Sequence, residues 1–369
     1  MRAAHPFAYP ALKFGRRPVA RVAGVGVLVR DAALLRAILM NTASFTKTGP
    51  GAPADLWTPV LGPSVLLNME GADHLALRRK LAPLFAPSYV DELVEESLAA
   101  PLASLSERLR AGESVDLVAE VRRYASITIG RLVGLDESVL SDDLFRRVSS
   151  ITSMVRLSKP RLSPAQVVTA RAVMAELGSH AERAFRAGDE STVPGRMRAL
   201  GLTETEAMGA VGAFVLTGTE TLVSYIPRLA CLLVDSAWHG TIAADQTLVE
   251  AAIAEALRVT TPSPVMLRSV VADDTIGTVP VRPGDRVILA TFAANRALGP
   301  FDPGGNAAAG LKQLWFGAGA HFCLGAPLAM AQIRLVLGTL LEFPSLQVES
   351  RKAARGVLIP SYQRVLVRA

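Results

Sequence analysis

The sequence predicts a mainly α fold with a small β-rich region. Three observations lead to this prediction. Amphipathic patterns typical of helices recur between residues 90 and 190, a helix that is apolar on nearly all sides follows Thr203, and β-branched runs typical of strands are limited to short stretches. Half of the 369 residues are hydrophobic, so the chain can bury a large core, although this length does not decide between one domain and two.

The composition excludes several classes of protein. The formal net charge is +6, but the Lys and Arg residues are dispersed among acidic ones, so we expect no nucleic-acid partner. The two cysteines, Cys231 and Cys323, imply no disulfide framework, which fits a reducing cytoplasm. Residues 1–20 lack the apolar core of a signal peptide, and the longest uncharged helical run, residues 207–219, is too short to cross a bilayer. We therefore expect an unanchored, cytoplasmic protein.

The first sixty residues carry strand, helix and loop signals in turn. Residues 18–30 are β-branched and apolar, as strands prefer. Asp31 is a suitable N-cap for the helix that follows. Residues 46–63 are rich in Gly, Pro and Thr and predict a long loop, with one short helix near residues 55–57.

The next helix begins near Met69 and carries a cationic pair. His74 and Arg78 are four residues apart, so they share one face, where they suit a dianionic ligand. The alternative is a solvated basic face. Further amphipathic helices follow, with breaks predicted near residues 112–113, 134 and 158–160.

A buried helix follows a capping box formed by Thr203 and Glu206. Polar residues stand in the middle of its apolar run, and these are Thr217, Gly218, Thr219, Glu220 and Thr221. Buried polar groups are costly unless they are bonded, and Gly218 can loosen the helix at this point. The alternative is a helix bend without chemistry.

The third quarter of the chain predicts one more helix and then short strands. In the helix over residues 248–259, Glu255 and Arg258 are three apart and can form an ion pair, although such a spacing is common by chance. Strand and hairpin signals follow at residues 265–268, 273–281 and 286–289, and the tail carries another hairpin signal at residues 356–363.

The strongest chemical signal is Phe316-Gly317-Ala318-Gly319-Ala320-His321-Phe322-Cys323-Leu324-Gly325. Its glycines allow sharp turns and close approach to a large group. A helix-like run with Pro327 in its first turn follows, so Cys323 lies at a loop-to-helix junction, where N–H groups stabilise a thiolate. Without a second cysteine nearby, the segment is a poor zinc site, because zinc needs four ligands. The Cys323 thiolate is, however, a good axial ligand for one heme iron. The alternative is a glycine-rich turn around a structural cysteine.

This segment resembles the heme-binding loop of the cytochrome P450 enzymes, the heme-thiolate monooxygenases. The family pattern is Phe-Gly-x-Gly-x-His-x-Cys-x-Gly, and every fixed position is met here. The resemblance extends in the right order over almost the whole chain. It implies a single cytochrome P450 domain over residues 1–369, folded as a helical prism with a small β-rich region.

The resemblance also implies a cofactor, heme b (iron protoporphyrin IX), with the Cys323 thiolate as the axial ligand of its metal. The implied propionate contacts are His74, Arg78, Arg268 and His321. Gln313 stands where many members have a further histidine, so that contact is neutral or missing. The other implied heme-binding positions are Phe316, Gly317, Gly325 and Gly218.

Residues 217–221 resemble the family's oxygen-activation segment, Ala-Gly-x-Asp/Glu-Thr. This implies catalytic roles for Thr221, which would hydrogen-bond O2, and for Glu220, which would relay protons. Thr217 replaces the usual alanine, and its hydroxyl either contacts substrate or water or bonds the previous turn. The implied substrate-pocket residues are Thr217, Val265, Met266 and Tyr362.

Glu255 and Arg258 resemble the family's structural Glu-x-x-Arg pair. In many members an arginine after a Phe-Asp pair completes a triad, but Phe301 and Asp302 are followed by no arginine here. Arg296 takes up this role or the triad is incomplete, and the sequence does not decide.

By resemblance, the protein is a soluble monooxygenase that hydroxylates or epoxidises an apolar small molecule of bacterial secondary metabolism, with O2 as co-substrate. The expected partners are a ferredoxin and a ferredoxin reductase, no membrane is expected, and the protein is expected to be a monomer. An acidic ferredoxin would dock on the cysteine face, and the cations suggested for this face are Arg79, Lys80, Lys312 and Arg334.

Two alternatives remain open at this stage. One is an enzyme of the same fold that performs oxidative coupling or peroxide-driven oxidation, although Glu220 and Thr221 favour ordinary O2 chemistry. The other is a non-catalytic heme protein that senses or carries a ligand.

Overall fold

The computed structural model describes residues 1–15, 17–135, 147–148, 150–151, 154–155 and 161–369, and the break predicted near residues 158–160 lies outside these ranges. The described chain is mainly helical, as predicted. The helices of the first half are α1 (Tyr9–Phe14), α2 (Ala32–Met40), α3 (Pro53–Leu61), α4 (Gly71–Leu81), α5 (Pro87–Arg110) and α6 (Leu117–Leu132). Those of the second half are α7 (Pro164–Ala187), α8 (Val193–Ala199), α9 (Glu204–Gly218), α10 (Glu220–Asp235), α11 (Trp238–Ala244), α12 (Val249–Thr260), α13 (Thr291–Arg296) and α14 (Ala326–Leu341).

Short strands form the small β-rich region, which confirms that part of the prediction. They are β1 (Val19–Val22), β2 (Gly26–Val29), β3 (Phe45–Thr46), β4 (Val115–Asp116), β5 (Met266–Val270), β6 (Asp274–Ile276), β7 (Val279–Val281), β8 (Arg286–Leu289), β9 (Gln347–Ala353) and β10 (Tyr362–Arg368). The largest sheet has the order β1-β2-β8-β5-β3, the second has the order β4-β10-β9, and β6 pairs with β7.

The first strand signal and the first cap are found where the sequence predicts them. Residues 18–30 contain the antiparallel strands β1 and β2, and the chain turns between them at Gly24, whose φ of +70° suits glycine. Helix α2 begins with Asp31, whose Oδ1 accepts a hydrogen bond from the Leu34 N–H at 2.9 Å.

The loop predicted over residues 46–63 is helical for half of its length, because α3 occupies residues 53–61 and extends well beyond the short helix predicted near residues 55–57. Its buried side chains, Ala54, Trp57 and Val60, recur every third residue and pack one face of the helix against the core. The helix spans only 9 residues, so this short period is hard to recognise among the flanking Gly and Pro residues.

Helices α9 and α10 run consecutively through the core. Their combined stretch, Glu204–Asp235, is long and apolar enough to cross a membrane, which the shorter run considered in the sequence did not reveal. About 56% of its most apolar window is buried inside the protein, as in a core helix. Thr203 and Glu206 form the predicted capping box at its start.

Glu255 and Arg258 form an ion pair on α12 in which both side chains are 0% exposed. Arg258 Nε lies 3.0 Å from each Glu255 carboxylate oxygen, and Nη2 lies 2.6 Å from Oε2. The remaining guanidinium donors bond main-chain carbonyls of Asn295 at 2.9 Å, Gly299 at 3.1 Å and Pro300 at 2.6 Å. The buried charge is therefore paired and every nitrogen is bonded.

These contacts show what completes the triad around Glu255 and Arg258, which the sequence left open. Arg296, which was suggested for that role, donates instead to the Val259 carbonyl at 2.9 Å. The Glu255 carboxylate accepts from the main-chain N–H of Ala308 at 2.7 Å and of Asp302 at 3.5 Å. Main-chain groups of residues 295–308 therefore stand where an additional arginine was expected.

We predict that Glu255→Gln destabilises the fold far more than Glu250→Gln, the same substitution on the same helix. Removing one partner of a buried ion pair leaves an uncompensated charge and costs about 3–5 kcal/mol. Glu250 is 58% exposed in its pair with Arg334, so its loss should cost only about 0–1 kcal/mol. Urea unfolding followed by circular dichroism measures both, and equal midpoints for the two variants would contradict the structural role of Glu255.

Candidate active site

The cysteine loop depends on two glycines. Gly317 and Gly319 have φ values of +84° and +67°, which L side chains rarely adopt. A Cβ at Gly319 would also lie 2.9 Å from the Leu39 carbonyl oxygen, so the loop could not approach α2 with a larger residue. The Cys323 N–H donates to the Phe316 carbonyl at 2.9 Å, which closes the loop just before α14.

The sulfur of Cys323 is accessible although protein surrounds it. The side chain keeps accessible surface, yet burial is the main cause that raises the pKa of its thiol. The N–H groups of Gly325 and Ala326 and the charges of Arg78 and Lys47 act in the opposite direction and favour the thiolate. An accessible sulfur surrounded by protein is placed to bond a large enclosed group.

Four residues predicted from separate segments lie together beside this sulfur. They are His74 and Arg78 of α4, Arg268 of β5 and His321 of the cysteine loop. The His74 and His321 ring centroids are 4.2 Å apart. Burial first, and then the charge of His321, lowers the pKa of His74 to about 4, so its ring is neutral near pH 7. Burial likewise lowers the pKa of Arg268 to about 10.

Sequence reasoning missed two charged residues of this cluster, Lys47 and Glu70. Glu70 Oε2 lies 2.5 Å from His321 Nε2, and Oε1 accepts from the Lys47 N–H at 2.6 Å. Burial would raise the pKa of Glu70, but these hydrogen bonds and the charge of Arg268 outweigh it and lower the pKa. Burial, followed by the charge of Arg268, lowers the pKa of Lys47 to about 8.

The donors of this cluster lack acceptors, which tests whether heme propionates fit. Within the described ranges, the Lys47 ammonium and the Arg78 guanidinium have no hydrogen-bond partner, and Arg268 donates only to the Leu267 carbonyl beside it. His321 Nδ1 is also buried without a partner. A buried donor without an acceptor is costly, and the partly buried cations around it lack a full counter-charge, so the site fits a group with two carboxylates. Gln313, by contrast, is exposed.

The polar segment between α9 and α10 has the predicted interruption. Thr219 lies between the two helices, and a Cβ at Gly218 would meet Ile129 Cδ1 of α6 at 2.5 Å, so close packing requires the glycine. Thr217 Oγ1 donates to the Ala213 carbonyl at 2.7 Å. This is one of the two alternatives predicted for that hydroxyl.

Thr217 and Thr221 lie on one face of the interrupted helix. Thr221 Oγ1 donates to the Thr217 carbonyl at 3.1 Å, and both side chains keep accessible surface. Thr219 points away from this face, because it is 3% exposed. Two hydroxyls therefore stand one turn apart on the same side, and each retains lone pairs that can accept a further hydrogen bond.

The other predicted pocket residues fall into two groups. Val265 and Met266 are partly buried just before Arg268 on β5. Tyr362 lies elsewhere: burial is the main cause that raises the pKa of its phenol, and its ionisable neighbours include Cys231 and Asp235. Cys231 follows Thr221 by ten residues of α10, about 15 Å along the helix axis. The structure therefore does not bring Tyr362 together with Thr221.

Comparisons with known proteins give consistent matches. No protein-family model matches the chain. The erythromycin C-12 hydroxylase of Saccharopolyspora erythraea is 27% identical over 323 residues, which cover 82% of this chain and 78% of that protein. Cytochrome P450 107B1 of the same organism is 28% identical over 303 residues, covering 79% of this chain and 73% of that protein. The crystal structure of P450BioI with an acyl carrier protein ligated to hexadec-9Z-enoic acid has a TM-score of 0.85 at 20% identity, covering 100% of this chain and 99% of that one.

We predict that Cys323→Ser abolishes the red-shifted Soret peak of the reduced, carbon monoxide-bound protein, because this peak reports a thiolate ligand and a hydroxyl cannot replace it. Cys231→Ser is the matched control. Cys231 is buried, and burial raises the pKa of its thiol, so this substitution should leave the peak in place. If the peak survives in Cys323→Ser, or is lost in Cys231→Ser, the assignment of Cys323 as the ligand is wrong.

Proposed function

We propose that this chain, which belongs to the cytochrome P450 family, hydroxylates or epoxidises an apolar small molecule with electrons from a ferredoxin. The protein is a monooxygenase, an oxidoreductase whose cofactor is heme with a cysteine thiolate ligand and whose co-substrate is O2. Two observations support the finer proposal: an accessible cysteine sulfur just before α14, and two threonine hydroxyls one turn apart on one face of the interrupted helix.

Cys323 is the proposed ligand. Heme supplies the redox-active iron at which O2 is activated. The chain supplies the electron-rich sulfur, whose thiolate form is favoured by two N–H groups at the start of α14 and by Arg78 and Lys47. His74, Arg78, Arg268 and His321 are the proposed contacts to the propionates, and Phe316, Gly317, Gly325 and Gly218 are the proposed packing positions around the ring.

Thr221 and Glu220 are the proposed proton-delivery residues. The Thr221 hydroxyl holds its proton toward the Thr217 carbonyl at 3.1 Å and can rotate to donate into the pocket. Glu220, its neighbour in sequence, is partly buried at the start of α10 and can return a proton to it. Reduction of dioxygen consumes protons, so a hydroxyl backed by a carboxylate controls their supply where bulk water is excluded.

We predict that Thr221→Ala lowers product formed per electron consumed, on the order of 10²-fold for complete loss of a positioned proton donor. Thr219→Ala is the matched control, since Thr219 is buried and makes only a 3.5 Å contact with the Val215 carbonyl. The substrate for this assay comes from titrating a compound panel against the heme absorption spectrum. Product yield per NADPH, with ferredoxin and its reductase, is the measurement.

The outcome of this assay also separates the alternatives. Turnover with peroxide alone, and none with ferredoxin, would favour peroxide-driven oxidation. A Thr221→Ala variant that matches the unmodified protein in every measurable function would favour a sensor or carrier of ligands.

The proposed substrate is an apolar product of bacterial secondary metabolism. A relative at 27% identity is an erythromycin C-12 hydroxylase, which supports this class of molecule. Val265 and Met266 provide apolar contacts in this proposal, and the Thr217 hydroxyl accepts one hydrogen bond from the substrate. We leave Tyr362 out of this proposal, since its neighbours include Cys231 and Asp235 in the second half of α10.

A ferredoxin is the proposed electron donor, docking on the surface around the cysteine loop. The four cations suggested for this surface differ in their pairing. Arg334 lies 2.6 Å from Glu250, and Lys80 lies 3.5 Å from Glu206. In the described part of the chain, Arg79 and Lys312 have no acidic partner, so their charges are available to an acidic protein.

We predict that Arg79→Ala and Lys312→Ala each raise the ferredoxin concentration needed for half-maximal heme reduction by about threefold at low salt. Arg334→Ala should have a smaller effect, because Glu250 already neutralises its charge. Stopped-flow reduction at two ionic strengths measures both, and the differences should shrink at high salt. If the three variants and the unmodified protein behave alike at low salt, the ferredoxin docks elsewhere.

The same proposal includes the setting in which the enzyme works. Residues 1–369 act as one domain and as a monomer in the cytoplasm, without a nucleic-acid partner. The continuous set of buried residues that joins α5, α6, α10, α12 and α14 supports a single folding unit.

A further inference from the structure

The cluster beside Cys323 has an excess of positive charge. Lys47, Arg78 and Arg268 are cations, and Glu70 is the carboxylate that faces them. The rings of His74 and His321 lie in the same cluster, with their centroids 4.2 Å apart. Apart from the histidines, three cations and one carboxylate leave two positive charges without a counter-charge.

The sheet places Lys47 opposite Arg268. Strands β3 and β5 are antiparallel, with Phe45 paired to Val270 and Thr46 paired to Ser269. Continued by one residue beyond β3, this register brings Lys47 toward Arg268, and the charge of Arg268 is one of the causes that lower the pKa of Lys47. Like charges that face each other across strands are destabilising, and an anion shared between them offsets this cost.

Glu70 holds the main chain of Lys47 beside the cysteine loop. Its Oε1 accepts from the Lys47 N–H at 2.6 Å, while its Oε2 contacts His321 Nε2 at 2.5 Å. The carboxylate thus ties the residue after β3 to the cysteine loop through its main chain and leaves the ammonium without a partner among the described residues.

We propose that Lys47 is a further propionate-binding residue, which supplies the third buried positive charge of the site in place of the contact missing at Gln313. Heme propionates carry two negative charges, which match the excess left by Lys47, Arg78, Arg268 and Glu70. Gln313 is neutral and exposed and cannot contribute this charge. The inference rests on the proposed function, because it presupposes heme at this site.

The test measures heme release from the loaded protein into excess apomyoglobin, followed by absorption. Lys47→Met should release heme on the order of tenfold to hundredfold faster, because one charge-assisted contact is lost. Lys47→Arg retains the charge and should remain within about threefold of the unmodified protein. Lys352→Met is the matched control, since Lys352 lies opposite Arg364 in an exposed antiparallel pair and should have no effect.

Heme dimethyl ester, whose propionates carry no charge, identifies the group that Lys47 contacts. With this ester, the unmodified protein and Lys47→Met should release their cofactor at rates within about twofold of each other. Equal release of ordinary heme by these two proteins overturns the proposal, and so does an acceleration that is the same for heme and its ester.

The spectrum of the reduced carbon monoxide complex separates this proposal from the proposed function. Lys47→Met should retain the red-shifted Soret peak, since Cys323 is unchanged. If the peak is present and heme release is unaltered, only the assignment of Lys47 fails. If the unmodified protein lacks the peak, the proposed function itself fails.

Discussion

Three enclosed cations face one internal carboxylate, Glu70, and this excess of positive charge shapes the site. The cations come from three separate places in the chain: the end of β3, the middle of α4 and the strand β5. In a low-dielectric interior these charges repel one another and lose their hydration, so the elements that carry them are held together most favourably by a shared anion. A cofactor with two carboxylates then stabilises the tertiary structure as well as supplying chemistry, because it binds the folded arrangement alone.

The buried ion pair on α12 is, unlike this cluster, complete within the protein. Glu255 and Arg258 satisfy each other and the main chain of residues 295–308 without any ligand. This segment leads directly into the cysteine loop, which begins at Phe316. One charged centre is therefore complete within the protein and fixes the path of the chain toward the sulfur, and in our proposal the other is completed by the propionates of heme.

In the proposed mechanism, the interrupted helix that α9 and α10 form supplies the face opposite these charges. Its hydroxyls at Thr217 and Thr221 bond the preceding turn, so they are satisfied within the helix while they remain available as acceptors. Gly218 is required by the close approach of Ile129, a packing constraint that accompanies the chemical one. Gly218 therefore accounts for the break at Thr219 in two ways: glycine loosens the helix locally, and its missing side chain allows close contact with α6.

The mainly α fold, the caps at Asp31 and Thr203, and the cysteine loop could all be predicted from the amino-acid order. These features depend on residues a few positions apart, whose spacing can be recognised without the fold. The folded chain was needed to show that Lys47 and Glu70 join the cluster, that main-chain carbonyls complete the Arg258 contacts, and that Tyr362 lies away from Thr221. Each of these depends on which distant segments meet, as when β3 pairs with β5 more than two hundred residues later. Local pattern carries no record of such pairings, because they are set by the packing of the whole core.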